Sequence, residues 1–237
     1  MSNLFIRIVI FNTFVFINYL HMVSLSEENY LKAIYHLTQD GEKVSPTAIA
    51  KVLDNNPASV IDMLKKLTEK KLINYDKIKG AKLTAIGVKA AMDIVRRHRL
   101  WEVFLLEKLG YEWGEVHNLA EQLEHVGDSE LADRLDKFLG RPDYDPHGDP
   151  IPKADGKIAE VFKTKLVDAE IGKKYKVVAV KDDSAEFLSY LQKFGIGIGT
   201  KLKIIEKIPF DGSLVVQIEK QNNTTISNKF AQNVLVT

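Results

Sequence analysis

The sequence contains no cysteine among its 237 residues. This absence excludes a disulfide framework and a thiolate metal site, so any bound metal would need nitrogen and oxygen ligands. The chain also has little excess of either charge, with a formal net charge of +1. A near-neutral total gives no global indication of nucleic-acid binding, and the charge must therefore be examined segment by segment.

Residues 1–22, MSNLFIRIVIFNTFVFINYLHM, are strongly apolar and unlike the residues that follow them. As a membrane anchor, the segment is interrupted by Arg7, Asn12 and Asn18, whereas a span needs roughly 20 mostly apolar residues. As a signal peptide, it lacks a small-residue cleavage site. The third interpretation, which we favour, is that the native chain starts at Met22. We expect the rest of the chain to be cytoplasmic.

Residues 23–92 have the pattern of a winged helix-turn-helix domain. Apolar positions at helical spacing predict a first helix, with Ser26 as its N-cap. Two shorter helices are expected to open on Pro46 and Pro57, because proline fits the first turn of a helix. The segments KLINYD and KGAKLT flank Ile78–Gly80 and predict a β-hairpin.

Residues 93–152 predict a helical domain followed by a proline-rich tether, RPDYDPHGDPIP. Breaks between helices are expected near Gly110 and Gly127. The β-rich segments KYKVVAVKDD, KLKIIEKI, SLVVQIEK and NVLVT then predict a linker and a small β-barrel within residues 153–237. The expected fold is therefore mainly α with β, in three domains after the apolar extension.

The charges are distributed unevenly between these segments. From Met63 to Lys89 there are eight lysines and two acidic residues, a net charge of +6. From His98 to Pro150 there are five basic and thirteen acidic residues, a net charge of −8. The near-neutral total therefore hides a basic module joined to an acidic one.

The basic module is suited to DNA, because lysines beside phosphates release counterions and add affinity. We expect the helix that begins at Pro57 to enter the major groove by its N-terminal end. Asp62 either accepts from a cytosine amine or points away. The residues expected to contact DNA are Pro57, Ala58, Ser59, Asp62, Lys65, Lys66, Lys77, Lys79 and Lys82. The alternative is a lysine-rich face that is merely solvated.

The acidic module carries histidines and glutamates at helical spacing. His98 and Glu102 are four residues apart, and His117, Glu121 and His125 form one stripe, with Glu124 beside it. Apolar residues are interleaved with them, and partly buried carboxylates are costly unless a cation compensates them. Imidazole and carboxylate ligands suit manganese, ferrous iron or zinc. The alternative is a charged helix face without a metal.

The segments SEENYLKAIYHL, NPASVIDMLKKL, RRHRL-x-E, VHNLAEQLEHV and HGDPIP resemble the diphtheria toxin repressor family of iron- and manganese-dependent regulators. The resemblance runs from about residue 24 to the end of the chain, whose β-rich tail is similar to the SH3-like domain of that family. It implies a metal-dependent transcriptional repressor with two metal sites per subunit.

The resemblance also implies which residues bind the metals. The ancillary site would comprise His98, Glu102, His117, Asp183 and Glu186. The primary site would comprise Asn29, Glu121, Glu124 and His125. Manganese-type members carry aspartate and iron-type members methionine at the position of Asn29, which offers only an uncharged carbonyl oxygen. Glu28 would be an alternative donor only if the first helix rotated.

The implied metal is Mn²⁺ or Fe²⁺. The carboxylate of Glu121 favours manganese, because iron-type members place a sulfur ligand there, whereas the complete ancillary set resembles the iron-type architecture. We expect a homodimer, formed through the helices of residues 98–139, that binds a palindromic operator. We expect no small-molecule substrate and no membrane partner.

Two other functions are alternatives to a metal-dependent repressor. A metal-dependent hydrolase could use a carboxylate-rich site to activate water, but the sequence has no H-E-x-x-H pattern and no evident nucleophile. A winged-helix regulator whose acidic face is purely structural would bind DNA without metal. We therefore expect a metal-dependent repressor rather than an enzyme.

Overall fold

The computed structural model of the protein describes residues 23–39, 41, 43–159, 163–219 and 222–237. The apolar extension, residues 1–22, and the interpretations offered for it lie outside the described residues. The chain divides into two compact units, the first ending at Val95 and the second beginning at Arg96. Within the described part of the chain, no helix is both long enough and apolar enough to span a membrane.

The described residues of the first unit form three helices, a β-hairpin and the start of a fourth helix. Its elements are α1 (Leu25–Gln39), α2 (Pro46–Val52), α3 (Pro57–Glu69), β1 (Ile73–Asp76), β2 (Gly80–Leu83) and the beginning of α4 (Ala85–Leu109). The two strands pair antiparallel, with Ile73 opposite Leu83. This arrangement is the winged helix-turn-helix that the sequence predicts.

Polar caps fix where the helices of the first unit begin. The predicted N-cap of α1, Ser26, is wrong, because the helix begins at Leu25 and Ser24 caps it. The Ser24 amide donates to Glu27 Oε2 over 2.7 Å, and the Glu27 amide donates to Ser24 Oγ over 3.4 Å. This reciprocal pair is a capping box. Asn56 caps α3, with its side-chain oxygen accepting from the Ala58 amide at 2.8 Å.

The core of the first unit joins α1 to the two following helices. Leu31 and Ile34 of α1 pack with Ile49 of α2 and Leu64 of α3, and all four are fully buried. Burial of such a side chain contributes about 1.5–3 kcal/mol. The apolar face of α1 therefore holds α3 in a defined position.

The helices of the second unit are the remainder of α4, then α5 (Val116–Leu123) and α6 (Ser129–Phe138). The predicted breaks are present, since Gly110 and Gly127 lie between these helices with φ of +73° and +86°. Residues 124–128 form a turn and not a further stretch of α5. His98 and Glu102 therefore lie on α4, whereas His117 and Glu121 lie on α5.

A six-stranded sheet forms the rest of the second unit, in the order β3-β8-β4-β5-β6-β7. The strands are β3 (Thr164–Lys165), β4 (Lys174–Val180), β5 (Lys201–Lys207), β6 (Leu214–Ile218), β7 (Asn223–Ile226) and β8 (Val234–Val236). Two helices, α7 (Ala185–Lys193) and α8 (Asn228–Asn233), accompany them. The sequence predicted β4, β5, β6 and β8, and it missed the other two strands and both helices.

The proline-rich segment, residues 141–152, is an ordered loop packed on β4. Tyr144 and Pro150 form an antiparallel bridge, and Asp145 Oδ1 accepts from the amides of His147 and Asp149 at 2.8 and 2.9 Å. The Val180 amide of β4 donates to the His147 carbonyl over 2.9 Å. Side-chain and main-chain hydrogen bonds therefore fix this irregular segment. The sequence instead predicted a tether.

Candidate metal centre and DNA-binding surface

His98, in the middle of α4, lies at the centre of the candidate metal site. Its Nδ1 is 2.6 Å from Glu124 Oε2, and its Nε2 is 3.0 Å from Glu102 Oε1. All three residues are buried. Because Glu102 is one turn along α4 and Glu124 follows α5, the ring of His98 connects two elements of the second unit.

His117 of α5 extends the site towards the β-rich part of the chain. Its Nδ1 is 3.3 Å from Glu102 Oε1 and 3.4 Å from Asp183 Oδ2. Its Nε2 is 3.7 Å from Glu121 Oε1, and its ring centroid is 5.0 Å from that of His98. The structure thus brings together four of the residues predicted for the ancillary site, together with Glu121.

The geometry fits a divalent cation. Ligand atoms of His98, His117 and Glu121 all lie within 4.8 Å of one another, so small side-chain movements would bring them to the roughly 2.0–2.2 Å of a metal bond. The donors are imidazole nitrogens and carboxylate oxygens, which manganese, ferrous iron and zinc accept. The buried carboxylates supply the negative charge that a cation would compensate.

The predicted stripe of His117, Glu121 and His125 is not a continuous helical face. Because α5 ends at Leu123, His125 lies in the following turn. Its Nε2 is 3.7 Å from Glu124 Oε1, and the Glu124 side chain is fully buried. Glu124 and His125 therefore lie close together because of the turn that follows α5, and not because they share a helical face.

The charges at Glu102 and His117 stabilise each other. Burial raises the pKa of Glu102, but hydrogen bonds with His117 and His98 outweigh it and leave the pKa lowered. The hydrogen bond with Glu102 raises the pKa of His117, against the opposing effect of burial. Glu102 is therefore favoured as a carboxylate and His117 as an imidazolium. A bound metal cation would supply the positive charge that the imidazolium otherwise provides.

Glu186, predicted for the ancillary site, makes no hydrogen bond or ion pair with this cluster among the described residues. Glu186 lies in the first turn of α7 with an exposed side chain. Asn29 belongs to the first unit, where it lies on α1 and its Oδ1 is buried without a hydrogen-bond partner among the described atoms. The structure thus brings Asp183, and not Glu186, to His117.

Asp145 and His147 of the proline-rich loop are buried titratable residues that the sequence patterns did not single out. Burial lowers the pKa of His147 and outweighs the opposing charges of Glu102 and Asp183, and the His147 Nε2 is buried without a hydrogen-bond partner in the described structure. Burial also raises the pKa of Asp145 to about 8, and the charge of Glu102 adds to this effect. A histidine and three aspartates between Pro142 and Pro150 were the available signal.

The predicted DNA-contacting residues form an exposed surface of the first unit. Pro57, Ala58 and Ser59 are exposed in the first turn of α3. Asp62, also exposed, pairs with Lys65 at 3.0 Å, an ion pair that offsets part of the charge of that lysine. Lys66 lies 3.2 Å from a buried carboxylate of α1, that of Glu27. The first turn of α3 therefore exposes small residues, and two of the helix's lysines are already paired.

The hairpin presents the remaining lysines. Lys77 and Lys79 are exposed in its turn, and Lys82 is exposed on β2. Asp76 Oδ1 accepts from the amides of Ile78 and Lys79 at 2.8 and 2.7 Å. This local hydrogen bonding gives the basic turn a defined shape.

Comparison with known proteins agrees with this architecture. Residues 22–81 match the iron dependent repressor N-terminal DNA binding domain, residues 84–153 match the iron dependent repressor metal binding and dimerisation domain, and residues 164–237 match the FeoA domain. The chain is 28% identical over 222 residues to the iron-dependent repressor IdeR of Mycobacterium leprae (strain TN), covering 88% of this chain and 95% of the relative.

Solved structures with similar folds include a manganese-dependent transcriptional repressor in complex with manganese. It is 34% identical, with a TM-score of 0.80, and the match covers 89% of this chain and 98% of that one. The manganese regulator SloR is 32% identical with a TM-score of 0.71, covering 89% and 97%. The fold and site define a metal-responsive winged-helix regulator. The chain belongs to the diphtheria toxin repressor family of iron- and manganese-dependent transcriptional regulators, as its sequence motifs indicated.

Proposed function

We propose that this protein is a DNA-binding transcriptional repressor that responds to Mn²⁺ or Fe²⁺ through the cluster around His98. The observation that carries the proposal is the buried ring of His98, held between Glu102 and Glu124 at 3.0 and 2.6 Å. A buried group of carboxylates and imidazoles, in a chain that also carries a basic winged-helix unit, is suited to a metal-controlled regulator. Nothing in this proposal requires catalysis, so we do not assign an enzymatic activity.

Two metal sites per subunit are proposed. The first uses Glu121, Glu124 and His125, with the side-chain oxygen of Asn29 as a further donor. The second uses His98, Glu102, His117 and Asp183, and the buried nitrogen of His147 supports its inclusion. Glu186 would be a ligand there only if α7 moved. Glu121 supplies a hard oxygen, which favours manganese over metals that prefer sulfur.

The proposed mechanism is a shift between conformations. A bound divalent cation supplies positive charge to the clustered carboxylates. With that charge in place, Glu121, Glu124 and Asn29 hold the DNA-binding unit in an orientation suited to its operator, so the competent fraction and the apparent affinity both increase. A cytoplasmic homodimer would present two α3 helices to successive major grooves of a palindromic operator.

The DNA contacts follow from the exposed surface of the first unit. Pro57, Ala58 and Ser59 would approach base edges from the first turn of α3, and Asp62 would lie beside them. Lysines would approach the phosphates on either side. These are Lys65 and Lys66 of α3 and Lys77, Lys79 and Lys82 of the hairpin.

The test is a DNA-binding titration of the full chain against a palindromic fragment from the promoter of a metal-uptake gene, with Mn²⁺, Fe²⁺, Zn²⁺ or chelator. We expect tight binding only with metal, and loss of the metal effect in Glu124→Gln and in His125→Gln. A matched control is Glu130→Gln, which alters an exposed glutamate of α6. Equal affinity in chelator would instead identify a winged-helix regulator with a structural acidic face.

A further inference from the structure

Glu27 of α1 ties that helix to the C-terminal end of α3. The side chain is fully buried, and its Oε1 is 2.8 Å from Lys70 Nζ and 3.2 Å from Lys66 Nζ. Lys70 also donates to Glu27 Oε2 over 2.8 Å. Burial raises the pKa of Glu27, but hydrogen bonds from Lys70 and from the Ser24 amide leave it lowered overall. Glu27 is therefore an ionised carboxylate shared by two lysines.

Tyr30, one turn further along α1, holds the opposite end of α3. Its side chain is buried, with 3% of its surface exposed. The Tyr30 hydroxyl accepts from Asn55 Nδ2 at 3.1 Å. The Asn55 side-chain oxygen in turn accepts from the Asn56 amide at 2.8 Å, and Asn56 is the N-cap of α3. One helix thus contacts both ends of the helix that faces DNA.

Asn29 lies between these two residues on α1. Its Oδ1 is buried and has no hydrogen-bond partner among the described atoms. Because the contacts of Glu27 and Tyr30 flank it in sequence, α1 and α3 are joined on both sides of the proposed ligand. A displacement of Asn29 would therefore be accompanied by the same displacement of α3.

We infer that Glu27 and Tyr30 are positioning residues that transmit movement of Asn29 to both ends of α3, thereby coupling metal binding to operator binding. The inference rests on the proposed function and adds a route for its regulation. Removing one partner of a buried ion pair is costly because the other charge is left uncompensated. The buried carboxylate also fixes the direction of its contacts, which apolar packing alone does not.

The test measures how strongly Mn²⁺ binding increases operator affinity, in addition to each affinity by itself. Full-length wild type, Glu27→Gln and Tyr30→Phe are titrated with Mn²⁺ in the absence of DNA, and with the palindromic fragment at saturating Mn²⁺ and in chelator. We expect Mn²⁺ affinity to stay within about twofold, since neither residue is a ligand. We expect the ratio of operator affinities with and without Mn²⁺ to fall at least tenfold in Glu27→Gln and severalfold in Tyr30→Phe.

The matched control is Glu69→Gln, the same chemical change at an exposed residue of α3, which should leave that ratio unchanged. Equal loss of operator affinity with and without Mn²⁺ would assign Glu27 a purely structural role and overturn the inference. An unchanged ratio in both variants would overturn it as well. If Glu27→Gln unfolds at the assay temperature, Tyr30→Phe decides by the same criterion. A wild-type protein that ignores Mn²⁺ would instead refute the proposed function itself.

Discussion

Both ring nitrogens of His98 face carboxylates, Glu124 at one and Glu102 at the other. A neutral imidazole has a single N–H, so both contacts can be hydrogen bonds only when the ring carries two protons. A metal ion bonds to an unprotonated nitrogen. A metal ion bound at the proposed site would therefore compete with a proton for the same ring nitrogens.

We expect Mn²⁺ binding to release a proton from His117, because the hydrogen bond to Glu102 raises the pKa of that histidine. The metal-free protein then keeps that proton to higher pH than a free imidazole does. Metal affinity should accordingly fall as the pH drops through the raised pKa and level off above it. Calorimetric titration in two buffers of different ionisation enthalpy counts the released protons. His117→Gln should reduce the count and His36→Gln should not; equal release in all three proteins would contradict the assignment.

Glu121 is the residue at which we expect metal preference to be set. It reaches the site through its Oε1, 3.8 Å from His98 Nδ1 and 3.7 Å from His117 Nε2. Glu121→Cys replaces a hard oxygen with a soft thiolate, which binds Fe²⁺ and Zn²⁺ better than Mn²⁺. We expect the Mn²⁺ concentration needed for operator binding to rise about tenfold or more, and the anaerobic Fe²⁺ threshold to rise much less. Glu121→Gln controls for the lost charge, and an unchanged order of metals in Glu121→Cys would contradict the prediction.

Local sequence patterns predicted a helix or strand correctly wherever a single signal, such as a proline or apolar spacing, determined it. The winged helix-turn-helix followed from apolar spacing and from Pro46 and Pro57, both of which open helices. The start of α1 was misplaced because two serines compete there, and Ser24 prevails since Glu27 stands three residues after it. The helix α7 was missed although Ser184 caps it, because its surroundings are β-rich.

The site itself was only partly predictable from sequence. Spacing of four along α4 joins His98 to Glu102, but the contact of His98 with Glu124 spans 26 residues and depends on how α4 and α5 pack. Asp183 came from the family resemblance, and its approach to His117 requires the β-rich part of the chain to fold nearby. The predicted domain boundaries, after residue 92 and after residue 152, remain predictions.

The ordered proline-rich loop can be tested at Gly148. Its φ is +84°, and a Cβ there would overlap the Val178 carbonyl oxygen of β4. Gly148→Ala should therefore lower the free energy of unfolding by about 2 kcal/mol or more, from strain and from displacement of the loop. Gly156→Ala is the matched control, since its φ is +82° with nothing within 4 Å. Equal urea midpoints for the two variants would mean that the loop does not pack on β4.

Positive and negative charges are concentrated in two different segments of the chain. The basic segment, Met63 to Lys89, carries a net +6, whereas the acidic segment, His98 to Pro150, carries a net −8. Acidic side chains would repel DNA phosphates, and divalent cations bound among them would reduce that repulsion. The salt dependence of DNA binding should therefore report mainly on the lysines of the first unit.

Lys79 provides the sharpest test of that expectation, since it is exposed in the hairpin turn that Asp76 shapes. If Lys79 contacts a phosphate, Lys79→Gln should lower the slope of log affinity against log salt concentration by about 1. The loss should be the same on operator and unrelated DNA, and Mn²⁺ affinity should be unchanged. Lys193→Gln, an exposed lysine of α7, is the control. An unchanged slope would remove the hairpin from the DNA interface, while a loss confined to the operator would mean that Lys79 contacts a base.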